Sequence, residues 1–156
     1  MRKIEMVDLR KQYERLKTDI DSAIGSVLES AAFIKGPDVR LFEEELQRYL
    51  GVRNVISCAN GTDALQVAMM ALGLKPGDEV ITTGFTFIAT VEVVELLGLK
   101  LVIADVDPAT FNISVKEIER LITPNTKAIV PVHLFGQCAD MESILALAKK
   151  HGIAVI

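Results

Sequence analysis

Only two cysteines occur in the chain, Cys58 and Cys138, with no C-x-x-C pair and no Cys/His cluster around them. That scarcity excludes a disulfide framework and a zinc site of recognisable spacing, and both residues are expected as buried small hydrophobes. Long apolar runs are missing as well. Stretches such as Leu99–Asp105 are broken by charge, and none approaches the roughly 20 residues of a membrane span. The charged opening Met1-Arg2-Lys3-Ile4-Glu5 has no apolar segment behind it of the kind a secretory signal needs. Basic residues are scattered singly or in pairs through a chain of net charge −4, so no basic stripe is available for nucleic acid, and an acidic surface disfavours anionic membrane. Also absent are internal repeats, low-complexity segments and two glycine-rich nucleotide signatures, G-x-G-x-x-G and G-x-x-x-x-G-K-[ST]. What remains is a chain of 156 residues, 50% hydrophobic and 24% charged, long enough for one domain with a real core. It is expected to be soluble and cytoplasmic.

The chain opens with Leu9, Tyr13, Leu16, Ile20, Ile24 and Val27, whose spacing marks one face of an amphipathic helix. After the break at Ala31–Pro37, Asp38 is expected to cap a second helix carrying Val39, Phe42, Leu46, Tyr49 and Leu50 and closed by Gly51. Residues 1–52 therefore form a helical N-terminal arm that packs on the body or on a partner subunit. From residue 53 to 156 the pattern changes. Short apolar runs at Val55–Cys58, Glu79–Thr83, Leu101–Ala104, Ala128–Val132 and Ile153–Ile156 predict strands. Helices are expected between them at about Thr62–Leu72, Thr86–Leu97, Val115–Leu121 and Met141–His151. Near-continuous apolar strands alternating with helices are the mark of an α/β fold with a mainly parallel sheet covered on both faces. Right-handed crossovers put the strand C-terminal ends on one edge, where ligands bind in open α/β sheets.

Two stretches on that edge carry candidate chemistry. In Ser57-Cys58-Ala59-Asn60-Gly61-Thr62-Asp63-Ala64-Leu65 a tight turn leads into a helix whose first backbone N–H groups have no intrahelical acceptor. With the helix dipole and the Thr62 hydroxyl, those donors suit a phosphate and need no lysine. The same residues also read as an ordinary cap by Asn60 or Thr62, and the motif by itself leaves both readings open. In Thr82-Thr83-Gly84-Phe85-Thr86-Phe87-Ile88-Ala89-Thr90, an aromatic at the strand end either lies flat against a planar ligand or packs in the core. Asp105-x-Asp107 has the form of a metal-holding D-x-D of nucleotide-sugar transferases, against which stands a simple turn at Asp107-Pro108. His133 ends a strand on the same edge with no Cys, Asp or second His nearby in sequence, as fits a hydrogen-bonded structural histidine.

Taken together, Asn60-Gly61-Thr62-Asp63-Ala64-Leu65, Lys75-Pro76-Gly77-Asp78-Glu79-Val80-Ile81 and Phe85-Thr86-Phe87-Ile88-Ala89-Thr90 resemble the DegT/DnrJ/StrS family of pyridoxal-phosphate-dependent sugar aminotransferases. Asp105-Val106-Asp107-Pro108, Phe111-Asn112-Ile113, Pro131-Val132-His133-Leu134-Phe135-Gly136 and the early Phe33-Ile34-Lys35-Gly36-Pro37 extend the resemblance over essentially the whole chain. It implies the N-terminal part of a fold-type-I large domain preceded by a helical arm, with pyridoxal 5'-phosphate as cofactor. By position, Gly61, Thr62 and Asp63 would hold the phosphate, Phe87 would stack on the pyridine ring, and Phe85 would be a packing neighbour. The implied reaction carries an amino group from an amino-acid donor, glutamate by analogy, to a nucleotide-linked keto sugar, in a homodimer. A sugar dehydratase of the same family would keep these motifs. The family places its cofactor-linked lysine and pyridinium-pairing carboxylate beyond Ile156, so the chain is expected to be a fragment with no catalytic residue of its own. A metal-dependent nucleotide-sugar transferase using Asp105 and Asp107, or a non-catalytic regulatory domain, is the competing class.

Overall fold

The structure, a computed structural model, describes residues 6–156, and the charged opening Met1–Glu5 lies outside the described residues. It divides into two compact units, one ending at Ser57 and one beginning at Cys58.

The first unit holds α1 (Leu9–Ser30) and α2 (Pro37–Leu50). Asp8 caps α1 through a side-chain bond to the Lys11 amide, and no residue of α1 is buried. The expected cap of α2 is displaced: Gly36 is the N-cap, Pro37 takes the first helical position and Asp38 sits within the first turn. Proline is suited there because its missing N–H has no helical partner in any case. Gly36 is required on steric grounds, since a Cβ at that position would stand 2.3 Å from the Ala32 carbonyl oxygen. Gly51 closes α2 in the left-handed conformation, with φ of 65°.

The run Val55–Cys58 is not a strand. Its apolar composition satisfies a strand pattern, but a strand also needs a neighbour for its amides, and among the described residues none pairs with it. The Ser57 amide instead donates to Glu43 Oε1 at 2.8 Å, and Ile56 is 79% exposed. That bond from the Ser57 amide holds the Glu43 carboxyl below its ordinary range.

In the second unit the order is α3 (Gly61–Ala71), β1 (Glu79–Thr83), α4 (Ala89–Leu96), β2 (Lys100–Ala104), α5 (Val115–Leu121), β3 (Thr126–Val130), α6 (Met141–His151) and β4 (Ala154–Val155). The four strands form one parallel sheet in the order β2-β1-β3-β4. Successive residues of β1 serve opposite faces, as the pleat demands. Val80, with Ala128 and Val130, packs under Met69 of α3 and Val93 and Val94 of α4. Ile81, with Ile129 and Ala104, packs under Ile118 of α5 and Ile144, Leu147 and Ala148 of α6. Burying each valine, leucine, isoleucine or methionine among these contributes about 1.5–3 kcal/mol, which makes the two-faced sheet the stable body of the unit.

Local chemistry sets the ends. Asn60, Ser114 and Asp140 cap α3, α5 and α6 by side-chain bonds to the amides of Asp63, Glu117 and Ser143. β3 begins and ends two residues before its expected span, because Pro131 has no N–H for a further ladder bond. α4 begins at Ala89 rather than Thr86, because 84–88 is a turn in which the Phe85 amide goes to Thr83 Oγ1 and the Thr86 and Thr90 hydroxyls meet at 3.2 Å. Both cysteines are exposed rather than buried, since each lies in a connecting segment outside the packed faces. Among the described residues no helix is long and apolar enough to cross a membrane.

Candidate cofactor site at the carboxyl edge of the sheet

The chain leaves β1 to reach β2 on one side and later places β3 on the other, so the strand order reverses at β1. Loops that diverge at such a point leave a crevice at the carboxyl ends of the strands. The segment after β1 carries Phe85 and Phe87, and the segment after β3 carries His133 and Phe135. α3 contributes from the same edge. A short connection, residues 72–78, joins its C-terminal end to the start of β1, which leaves its first turn toward the strand ends. Leu65 in that part of the helix packs against the same cluster as Ile156, the residue after β4.

The first turn of α3 has donors to spare. Asn60 Oδ1 accepts from the Asp63 amide at 2.9 Å, and the Asn60 carbonyl accepts from the Ala64 amide at 3.0 Å. Asn60 Nδ2 donates in turn to Asp63 Oδ2 at 3.3 Å, so cap and first-turn carboxylate hold each other. Among the described residues the Gly61 and Thr62 amides and the Thr62 hydroxyl have no hydrogen-bond partner. Among the described residues a Cβ on Gly61 would meet nothing within 4 Å. Of the predicted phosphate-holding residues, Gly61 and Thr62 present free donors, whereas the Asp63 amide is occupied by the cap.

Phe87 is 75% exposed and takes no part in either core cluster, which removes core packing as the reason for its position. Phe85 behaves differently. Its ring meets Phe111 edge-on at 5.8 Å and Phe135 edge-on at 6.3 Å, tying together the segments after β1, β2 and β3. His133 Nδ1 accepts from the Ala139 amide at 3.2 Å, which leaves the ring proton of the neutral form on Nε2 as a donor. Asp107 Oδ1 accepts from the Ala109 and Thr110 amides at 2.8 and 3.2 Å, closing a turn. Among the described residues no group of three or more His, Cys, Asp or Glu is arranged to hold a metal ion.

A helix start with free donors and an exposed aromatic lie on the carboxyl edge of a parallel sheet, where α/β proteins bind their ligands. The particular family follows from the sequence: the profile of the DegT/DnrJ/EryC1/StrS aminotransferase family matches residues 14–156, and the chain belongs to that family. It is 54% identical over 153 residues to UDP-2-acetamido-2-deoxy-3-oxo-D-glucuronate aminotransferase of Pseudomonas aeruginosa, covering 98% of this chain and 43% of that protein. To a pleiotropic regulatory protein of Geobacillus stearothermophilus it is 48% identical, covering 98% of this chain and 41% of the relative. Among solved structures it superposes with a TM-score of 0.96 and 35% identity on DesV of S. venezuelae in complex with a ketimine intermediate, covering 99% of this chain and 42% of that one. The chain thus spans less than half the length of these relatives, and its fold is that of the N-terminal part of this α/β aminotransferase family.

Sequence reasoning did not find the Phe85–Phe111–Phe135 contacts, nor the role of Asn112, whose side chain bonds to the segment after β3. No short-range signal reveals them, because the partners of Asn112 lie more than twenty residues away.

Proposed function

We propose that this chain supplies the phosphate-holding and ring-holding part of a pyridoxal-phosphate-dependent aminotransferase. The substrates of this reading are a nucleotide-linked keto sugar and an amino-acid donor such as glutamate. The observation that carries it is the set of unspent donors at Gly61 and Thr62, on the sheet edge that also exposes Phe87. The residues present fit the cofactor: two amides and a hydroxyl at a helix start for a phosphate dianion, and a solvent-facing aromatic for a flat heteroaromatic ring. Pyridoxal phosphate, when bound, supplies the electron sink that such an amino transfer requires.

The residues of this chain then have separable tasks. Gly61 and Thr62 bind the phosphate, and Asn60 and Asp63 hold the helix start in the shape that presents those donors. Phe87 orients the ring and keeps water from one face of it. The exposed apolar stripe of α1, with Leu9, Leu16, Ile24 and Leu28, is suited to a second subunit, and a homodimer in the cytoplasm belongs to the same reading. The name of the P. aeruginosa relative and the ligand of DesV support this account over a sugar-nucleotide transferase. The regulatory name of the G. stearothermophilus relative keeps a non-catalytic role as the alternative to be tested against.

The test is the absorbance of the purified intact protein before and after borohydride treatment and dialysis. A cofactor band that borohydride fixes covalently to the protein is the expected result. Absence of any such band, together with metal-dependent binding of UDP or dTDP, would favour the transferase; absence of both would favour the regulatory role.

A further inference from the structure

Asn112 lies between β2 and α5 and is only 5% exposed. Its own backbone is fixed within that segment, since its carbonyl accepts from the Asp107 amide at 2.8 Å and its amide donates to Thr110 Oγ1 at 3.3 Å. All three bonds of its side chain leave the segment. Nδ2 donates to the carbonyls of Gln137 and Cys138 at 3.3 and 3.1 Å, and Oδ1 accepts from the Leu134 amide at 3.3 Å. A carboxamide is the group that meets this demand, offering two donors to two carbonyls and one acceptor to an amide. An aspartate would set a negative charge against both carbonyls, and an apolar residue would remove all three bonds that tie this segment to the one after β3.

The segment so gripped carries Phe135, and the residue before Asn112 is Phe111. Both phenylalanines have left-handed backbones, with φ of 52° and 60°. Bulky residues adopt that conformation only where their surroundings hold them in it. Both rings meet the same partner from different segments: Phe85, whose amide is held by Thr83 Oγ1. Phe85 and Phe87 share one short turn between β1 and α4. A continuous set of contacts therefore runs from Asn112 through Phe111 and Phe135 to Phe85 and the backbone that presents Phe87.

We infer that Asn112 is a positioning residue for the ring-holding face of the site, acting through the Phe111–Phe85–Phe135 contacts on the turn that carries Phe87. The inference rests on the proposed binding of pyridoxal phosphate. It assigns Asn112 no contact with cofactor or substrate.

The experiment is a double-mutant cycle in the intact protein, with Asn112→Ala and Phe87→Ala made singly and together. Pyridoxal phosphate binding is read by fluorescence titration, and inorganic phosphate by competition. Asn112→Ala is expected to raise the Kd for pyridoxal phosphate about tenfold, and to do so less than about twofold once Phe87 is already alanine. The constant for inorganic phosphate should stay within about twofold of wild type, because the start of α3 is not part of the contact set. Equal factors in both backgrounds, or a parallel loss of inorganic phosphate, would overturn the assignment. Should Asn112→Ala fail to fold, Phe135→Ala decides the matter, since that ring is 87% exposed and outside the core. Its weakening of pyridoxal phosphate binding must also vanish in the Phe87→Ala background, and a persisting effect counts against the inference. A wild-type protein that binds no pyridoxal phosphate defeats the proposed function. Binding that depends on Phe87 but on neither Asn112 nor Phe135 defeats this inference alone.

Discussion

Replacing Glu79 by glutamine should expose how the far edge of the sheet is held. Glu79 opens β1 and is 3% exposed. Its Oε1 accepts from Lys100 Nζ at 2.8 Å, while Oε2 accepts from the hydroxyls of Thr123 and Thr126. A carboxylate only accepts, so all three neighbours are satisfied, and β1, β2 and the start of β3 are joined in one cluster. Glutamine keeps one acceptor and introduces two donors. Either the Lys100 ammonium or the two threonine hydroxyls that donated to Glu79 then face an NH2 group instead of an acceptor. Hydrogen bonds to a charged group contribute roughly 1.5–3 kcal/mol and neutral ones roughly 0.5–1.5. Lys100 is 66% exposed and regains water when the charge is lost, so its share is discounted. The net cost of Glu79→Gln comes to about 2 kcal/mol, or about 4–8 °C in Tm for a chain of this size.

The pH dependence has a definite sign. The Lys100 bond, followed by that from Thr123, holds the Glu79 carboxyl below its ordinary value of 4.5. The folded state therefore binds this proton less readily than the unfolded chain, and the stabilisation is complete above 4.5. It is lost as pH falls from there through the folded value. Thermal melts of wild type and Glu79→Gln across that range should converge in acid and separate towards neutrality. A Tm difference that is constant through the acid range, or one below about 1 °C at neutral pH, would refute the cluster's role.

Two further outcomes follow from the helix starts. Asn60→Ala removes the cap bond that shapes the helix start and should lower stability by about 1 kcal/mol and weaken phosphate binding severalfold in a titration. An unchanged affinity would show that the cap does not shape the donors. Gly36→Ala sets a methyl against the Ala32 carbonyl and should cost about 1–3 kcal/mol, visible as faster amide exchange around the start of α2; unchanged exchange would show that the close approach does not matter.

Much of the architecture was legible because it rests on local rules. The apolar periods of α5 and α6 gave their spans to the residue, and caps such as Asn60 and Asp140 are short-range signals. Glu79–Thr83 reads as a strand because it is apolar between turn residues, and the ladders on both of its sides make it one. Val55–Cys58 has similar texture and fails, because pairing is a property of the neighbour and not of the run. The free donors of α3 were legible as a helix start, whereas the occupation of the Asp63 amide by Asn60 is a matter of side-chain geometry. Phe111 and Phe135 give no sign of their left-handed backbones, since glycine and asparagine are the residues that announce one. The buried role of Asn112 depends on partners that only the closed fold brings near.

The central claim is that the start of α3 holds the phosphate of pyridoxal phosphate through Gly61 and Thr62. Its most direct test is a paired titration of the intact protein with pyridoxal phosphate and with pyridoxal, repeated on Thr62→Ala. Removing one hydroxyl bond to a charged group, worth roughly 1.5–3 kcal/mol, should weaken pyridoxal phosphate binding about 10- to 150-fold. The same substitution should leave pyridoxal unaffected, and inorganic phosphate should compete only with the phosphorylated ligand. Equal affinity for the two ligands in wild type, or an equal loss of both in Thr62→Ala, would contradict the account.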